Sequence, residues 1–156
     1  VHKDITDLKE KFDLIYSSNV LEHIKDDVKM LEKIKLKLKE NGTLALYLPA
    51  FMVLFSDLDT TSGHYRRYEK KDLIEKLDKA GFLITNIFFA DSIGFIASLA
   101  IRMLGWNTQT GIGSKRSIIF YDKIIFPISK ILDLLGFKFI FGKNIFVTAK
   151  IDCNYK

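Results

Sequence analysis

Cysteine is almost missing from this sequence. Cys153 is the single thiol, so no internal disulfide and no Cys-based metal cluster can form. No metal site is assigned from the sequence, and a reducing, cytoplasmic setting is the expectation. Proline and glycine are also scarce, with two and nine residues, which excludes a collagen-like or linker-dominated chain. No uncharged apolar run reaches the roughly 18 residues that would argue for a membrane-spanning helix. Charge of one sign is only mildly in excess: 24 Lys and Arg against 19 Asp and Glu leave +5. The lysines are interleaved with acids, as in Lys29–Lys39, which reads as a solvated helix face, so no nucleic-acid partner is expected. What remains is an ordinary globular balance, 48% hydrophobic and 28% charged over 156 residues, enough for one domain with a sizeable core. The chain opens on Val1 and polar residues, unlike a signal peptide, and is expected to continue something longer.

Hydrophobic periodicity organises the chain. Phe12–Ser18 (FDLIYSS) has the pattern of a buried parallel strand. Lys25-Asp26-Asp27 starts a helix whose face is Val28, Leu31, Ile34 and Leu38, and Asn41-Gly42 is expected to end it. Thr43–Leu48 is a second strand stopped by Pro49, and Ala50–Arg67 reads as a long loop with about one helical turn. A second amphipathic helix spans Lys70–Ala80 on Leu73, Ile74, Leu77 and Ala80, Gly81 closes it, and Leu83–Ala90 is a third strand. This rhythm predicts an α/β fold with a largely parallel sheet. Ser92–Leu104 and Ile118–Leu135 are apolar segments around a loop at Gly105–Ser117, with a kink expected at Pro127, and Asn144–Ile151 is a last strand.

A parallel α/β sheet binds ligands outside the carboxyl ends of its strands, which points to Ser17–His23, Pro49–Arg67 and Asp91–Gly94. There the segment FDLIYSSNVLEHIKDD, then KENGTLALYLPA, then LDTTSGHYRRYEKKDLIEKLDKAGF resembles the later half of class I S-adenosylmethionine-dependent methyltransferases of the small-molecule branch. The resemblance covers about residues 4–90, and NIFVTAKI resembles the family's closing antiparallel strand. It implies a Rossmann-like fold, in this chain a partial sheet of strands four to seven with helices on both faces and a helical insert at about 92–135 before the last strand. It also implies S-adenosylmethionine as cofactor and methyl transfer to oxygen or nitrogen of a small-molecule acceptor. The family's Gly-rich loop and ribose-binding acid have no counterpart here; Gly111-Ile112-Gly113 opens no helix after a strand. The chain is therefore expected to be one N-terminally truncated domain, inactive alone, that needs the missing N-terminal segment of the same enzyme.

By that resemblance Asp4 and Ile5 meet the adenine, and the loop at Asn19, Val20 and Leu21 lines the methionine end. His23 flanks the cofactor, serves as a base, or simply starts a helix. In the GHYRRY segment His64 is the candidate general base, with an ordinary pKa near 6.5. Arg66 and Arg67 are suited to clamp an acidic substrate group, beside Tyr65. The alternative is that His64 and an arginine tie the loop down through Asp57, Asp59 or Glu69. The apolar insert suggests a lid over a lipid-like acceptor, a peripheral membrane contact, or plain core packing. Two further readings stay open: a non-catalytic subunit of the same fold, and a membrane-associated binding module.

Overall fold

The computed structural model describes residues 5–103 and 119–153. The calls at Asp4 and at the Gly105–Ser117 loop lie outside these residues. After a single 3₁₀ turn at Ile5–Asp7, strand β1 (Phe12–Ser18) leads through a 3₁₀ turn at Leu21–His23 to helix α1 (Asp27–Lys37). Asp26 caps α1 by accepting the Lys29 N–H at 3.2 Å, an acid where the helix N-terminus is positive. Strand β2 (Leu38–Pro49) follows directly, then a 3₁₀ turn at Met52–Leu54 and a short helix α2 (Asp57–Thr61). Helix α3 (Lys70–Lys79), strand β3 (Phe82–Ala90) and helix α4 (Ser92–Met103) continue the chain. A π-helical turn at Tyr121–Ile125 runs into helix α5 (Phe126–Leu134), and strand β4 (Asn144–Ile151) closes it.

The sheet order is β1-β2-β4-β3. β1 and β2 pair in parallel, while β4 lies antiparallel between β2 and β3. The carboxyl ends of β1, β2 and β3 therefore share one edge of the sheet. One face carries Leu44, Leu46, Leu48, Ile145, Val147 and Ala149, all buried, and α1 and α3 seal it with Leu31, Ile34, Leu73 and Leu77. Each such leucine contributes about 1.5–3 kcal/mol by leaving water. The opposite face meets α5 only near the carboxyl end, in a cleft of about 350 Å³ that Tyr47, Phe88, Phe126 and Leu134 help to line. Helices were expected on both faces, and most of that second face carries none among the described residues.

Four details depart from the periodicity. β1 is parallel and stands at the edge of the described sheet, both as expected, but the burial its apolar pattern predicts fails, with Leu14 and Tyr16 59% and 61% exposed. Asn41-Gly42 does not end α1, which stops at Lys37; the pair lies inside β2, where the register against β1 slips between Phe12 and Leu14. Gly42 is required there because a Cβ would stand 2.9 Å from the Phe12 carbonyl oxygen. On α3, Leu73 and Leu77 are buried but Ile74 is exposed, because α1 covers only the narrower stripe. Pro127 does not break its helix: the π turn runs into α5 through Ile125 and Phe126, both helical, and the irregularity falls in that turn just before the proline.

Candidate functional site

Among the described residues, three non-glycine residues have left-handed backbone: Asn19 (φ 50°), Phe51 (φ 62°) and Asp91 (φ 65°). Each lies just past the carboxyl end of a parallel strand, β1, β2 and β3 in turn. Such conformations cost on the order of 1–3 kcal/mol each and cluster at functional sites. Backbone strain and the topology of the sheet thus mark the same edge.

Two segments that lie 40 residues apart meet on this edge through the backbone. The Tyr65 N–H donates to the Glu22 carbonyl at 2.8 Å, and the Asn19 N–H donates to Tyr47 of β2 at 2.9 Å. Farther along, the Tyr68 N–H reaches Pro49 at 2.8 Å and the Phe51 N–H reaches Tyr68 at 3.1 Å, which fixes both ends of the β2 exit loop. Gly63 (φ 78°) makes the turn that aims His64 back at the first segment.

Three buried acids organise the side chains. Asp59 is saturated: its Oδ2 accepts the Ser56 N–H and hydroxyl at 2.9 and 3.1 Å. Its Oδ1 takes His64 Nδ1 at 2.8 Å and Arg67 Nε at 3.0 Å. Burial would raise its pKa, but Arg67, His64 and the Ser56 N–H outweigh this and hold it below the usual carboxylate range. Asp27 is heavily partnered too, its Oδ2 receiving the Tyr68 hydroxyl at 3.0 Å, Lys76 at 2.7 Å and Arg66 at 2.5 Å. Burial again pulls upward, and Lys76, Arg66 and Tyr68 leave Asp27 lowered. Desolvation beside Asp27 pushes the Tyr68 phenol up, so it stays a donor.

Glu22 is the opposite case. It is 0% exposed, and neither carboxylate oxygen has a hydrogen-bond partner. Burial raises its pKa against the weaker pull of its own backbone N–H and of the His64, His23 and Arg67 charges. His64 Nε2 stands 3.9 Å from Glu22 Oε1, and the His23 and His64 rings meet edge to face with centroids 4.5 Å apart.

The candidate residues thus separate. Asn19, Val20, Leu21, His23 and His64 share one edge; Val20 is exposed, whereas the Leu21 side chain belongs to the core, leaving its backbone for any ligand. Arg66 and Arg67 are committed to Asp27 and Asp59, with Arg66 also donating to the Lys25 carbonyl at 2.7 Å. Tyr65 is exposed, and Ile5 packs half-buried against the core. Of the acids offered as alternative anchors, Asp59 takes that part; Glu69 instead accepts the Met52 N–H at 3.0 Å. Glu22 was given no role by the sequence, although an acid inside a short, apolar strand exit is itself a signal that it will be buried.

The sequence profile of a methyltransferase domain matches residues 1–87, more than half of the chain. The chain belongs to that family, the S-adenosylmethionine-dependent class that the sequence resembles. A search of curated proteins found no match. Among solved structures, the complex of a methyltransferase activator and a methyltransferase from Haloferax volcanii superposes with a TM-score of 0.56 at 12% identity, over 98% of this chain and 60% of that one. An S-adenosylmethionine-dependent methyltransferase from Archaeoglobus fulgidus gives 0.54 at 18% identity, over 96% and 66%. Another from Clostridium acetobutylicum gives 0.52 at 14% identity, over 97% and 63%. At these identities the likeness is one of fold. The chain spans about 60% of the first of these structures.

Proposed function

We propose that this chain supplies the acceptor side, and one wall of the cofactor site, for methyl transfer from S-adenosylmethionine to oxygen or nitrogen of a small molecule. The observation that carries this reading is the backbone staple between the Asn19–His23 exit and the His64 loop, inside a chain of the methyltransferase family. The order β1-β2-β4-β3 supports it, since β4 (Asn144–Ile151) is the antiparallel strand, as the resemblance implies for the closing strand.

The residues fit that cofactor in part. The left-handed turn at Asn19 throws the Asn19–Val20 backbone out of the sheet edge, where the exposed Val20 is placed to line its methionine end, while the Asn19 N–H is spent on Tyr47 and the Val20 carbonyl on the His23 N–H. Among the described residues no strand is followed by a Gly-rich loop, so the rest of the cradle is not built from them. When bound, the cofactor supplies an electrophilic methyl group on a sulfonium. The chain's own task is to orient the acceptor and take its proton. Asp59 accepts only, so His64 Nδ1 carries the proton it donates, and Nε2 presents a lone pair toward the edge. That nitrogen is the proton acceptor, and Asp59, held by Arg67 and Ser56, fixes its ring.

An apolar, lipid-like acceptor is supported by the aromatic row of Phe51 against Phe89 and Phe95, with centroids 4.8 and 5.0 Å apart, and of Phe95 against Phe141 at 5.2 Å. α4 begins at the carboxyl edge and touches the His64-bearing loop at its start, where Arg102 donates to the Phe55 carbonyl, as a lid would. Ile124, Ile128, Ile131 and Leu134 remain exposed on the helices behind it, suited to a greasy ligand or a membrane surface. No described helix is long and apolar enough to cross a membrane.

The test is NMR titration of the chain with S-adenosylhomocysteine. Amide shifts concentrated at Asn19–His23 are expected even if binding is weak; their absence, or shifts confined elsewhere, sinks the cofactor reading. In a protein that carries this chain and turns over, His64→Ala should lower methyl transfer about 10²-fold or more.

A further inference from the structure

His64 has a lone-pair problem. Its Nδ1–H is spent on Asp59 at 2.8 Å, so in the neutral ring Nε2 carries a lone pair. That nitrogen stands 3.9 Å from Glu22 Oε1, another electron-rich atom, too far for a hydrogen bond. Both Glu22 oxygens are completely buried and unpartnered. An ionised carboxylate left this way is costly, and natural sites resolve it with a positive partner. The neighbouring cation, Arg67, is anchored to Asp59 through Nε, and although its charge acts on Glu22 and one of its terminal nitrogens is buried without a partner, none of its nitrogens hydrogen-bonds a Glu22 oxygen. His23 completes the group: one ligand atom each from Glu22, His23 and His64 lies within 4.8 Å of the others.

We propose that Glu22, His23 and His64 form a binding site for one divalent first-row cation of borderline softness, for which zinc is the representative ion. Two imidazoles and a carboxylate are a ligand set that suits zinc, and three protein ligands leave a fourth position open to water or to an acceptor oxygen. Bonds of about 2.0–2.1 Å place tetrahedral ligand atoms roughly 3.4 Å apart. His64 and Glu22 need to close by about half an ångström from their 3.9 Å separation, and the exposed His23 side chain has room to supply the larger adjustment. The surroundings are those of a metal-ligating histidine. Asp59 takes the Nδ1 proton and fixes tautomer and ring plane, and is itself held by Ser56 and Arg67, the outer carboxylate that such sites use. The formal charges of Glu22, Asp59 and Arg67 sum to −1 before an ion enters, which favours a cation. In the loaded state His64 is a ligand, and the open position of the ion, not Nε2, meets the acceptor.

The site stands on side-chain geometry; in the loaded state it replaces Nε2 as the group that meets the acceptor but leaves the cofactor wall at Asn19–Leu21 untouched, so zinc binding and S-adenosylhomocysteine binding can fail independently. Zinc titration by calorimetry, and cobalt(II) substitution followed in the visible spectrum, should be done in a Cys153→Ser background to remove the exposed thiol as a ligand. One ion per chain is expected, with cobalt bands of a four- or five-coordinate site that zinc displaces. His23→Ala, at an exposed position, and Glu22→Gln, which keeps shape and removes charge, should each weaken zinc at least about 10²-fold while circular dichroism stays unchanged. Equal zinc affinity in the parent and in both folded variants, or octahedral cobalt bands only, would overturn the site.

Discussion

Glu22 and Asp27 are buried carboxylates five residues apart, and they are treated in opposite ways. Asp27 receives a hydroxyl, an ammonium and a guanidinium on one oxygen, whereas Glu22 receives nothing on either. Asp27 opens α1, where the helix end and the partners from α3 and its approach hold a negative charge. Glu22 sits at the ligand-binding edge, in a 3₁₀ turn facing two histidines. The first acid ties elements together. The second is kept at a cost that folding alone gives no reason to bear, and that cost is what marks a site.

The comparison can be broken most violently at Asp27. Asp27→Ala leaves Lys76 and Arg66 without their shared anion and should destabilise the chain by about 3–5 kcal/mol in urea unfolding. A loss below 1 kcal/mol would mean the knot is ornamental. Acid should act in the same direction. Asp27 and Asp59 have lowered folded-state pKa values, so their stabilisation is complete above the ordinary carboxylate pKa and is lost as pH falls through the folded values. Unfolding midpoints should therefore drop steeply below about pH 4, less steeply in Asp59→Asn. Tyr68→Phe removes one of three donors and should cost about 1 kcal/mol, leaving the two cations on Asp27. The smallest effect is expected on the bare sheet face: Leu14→Thr should change stability by no more than about 0.5 kcal/mol, since Leu14 is already in water.

Much of the fold was legible because it is local. The spacing of Leu31, Ile34, Leu73 and Leu77 names the faces of α1 and α3 that the structure buries. FDLIYSS reads correctly as a parallel strand, but its apolar content does not tell a central strand from an edge, which depends on what lies beside it. Asn41-Gly42 misleads because its turn preference is overridden by the register of β2 against β1, where only a residue without Cβ fits. At the site, the NVLEH and GHYRRY segments each stand out, yet nothing in either says that Tyr65 N–H bonds Glu22. Nor could spacing assign Arg66 to Asp27 and Arg67 to Asp59, since adjacent arginines with several acids in reach are equivalent until the chain is folded.

The central claim is that Glu22 is held buried and unpartnered in the folded chain, at a cost to its charged form, and the equilibrium stability of Glu22→Gln across pH tests it most directly. The folded pKa of Glu22 is raised, so the parent loses stability as pH climbs from the ordinary carboxylate value through the raised one. Without added metal, Glu22→Gln should match the parent near pH 4 and exceed it by about 1 kcal/mol at neutral pH, the gain growing with pH between. A variant less stable than the parent at neutral pH, with a deficit that widens as pH rises, would show that the Glu22 carboxylate is satisfied after all and would contradict the account.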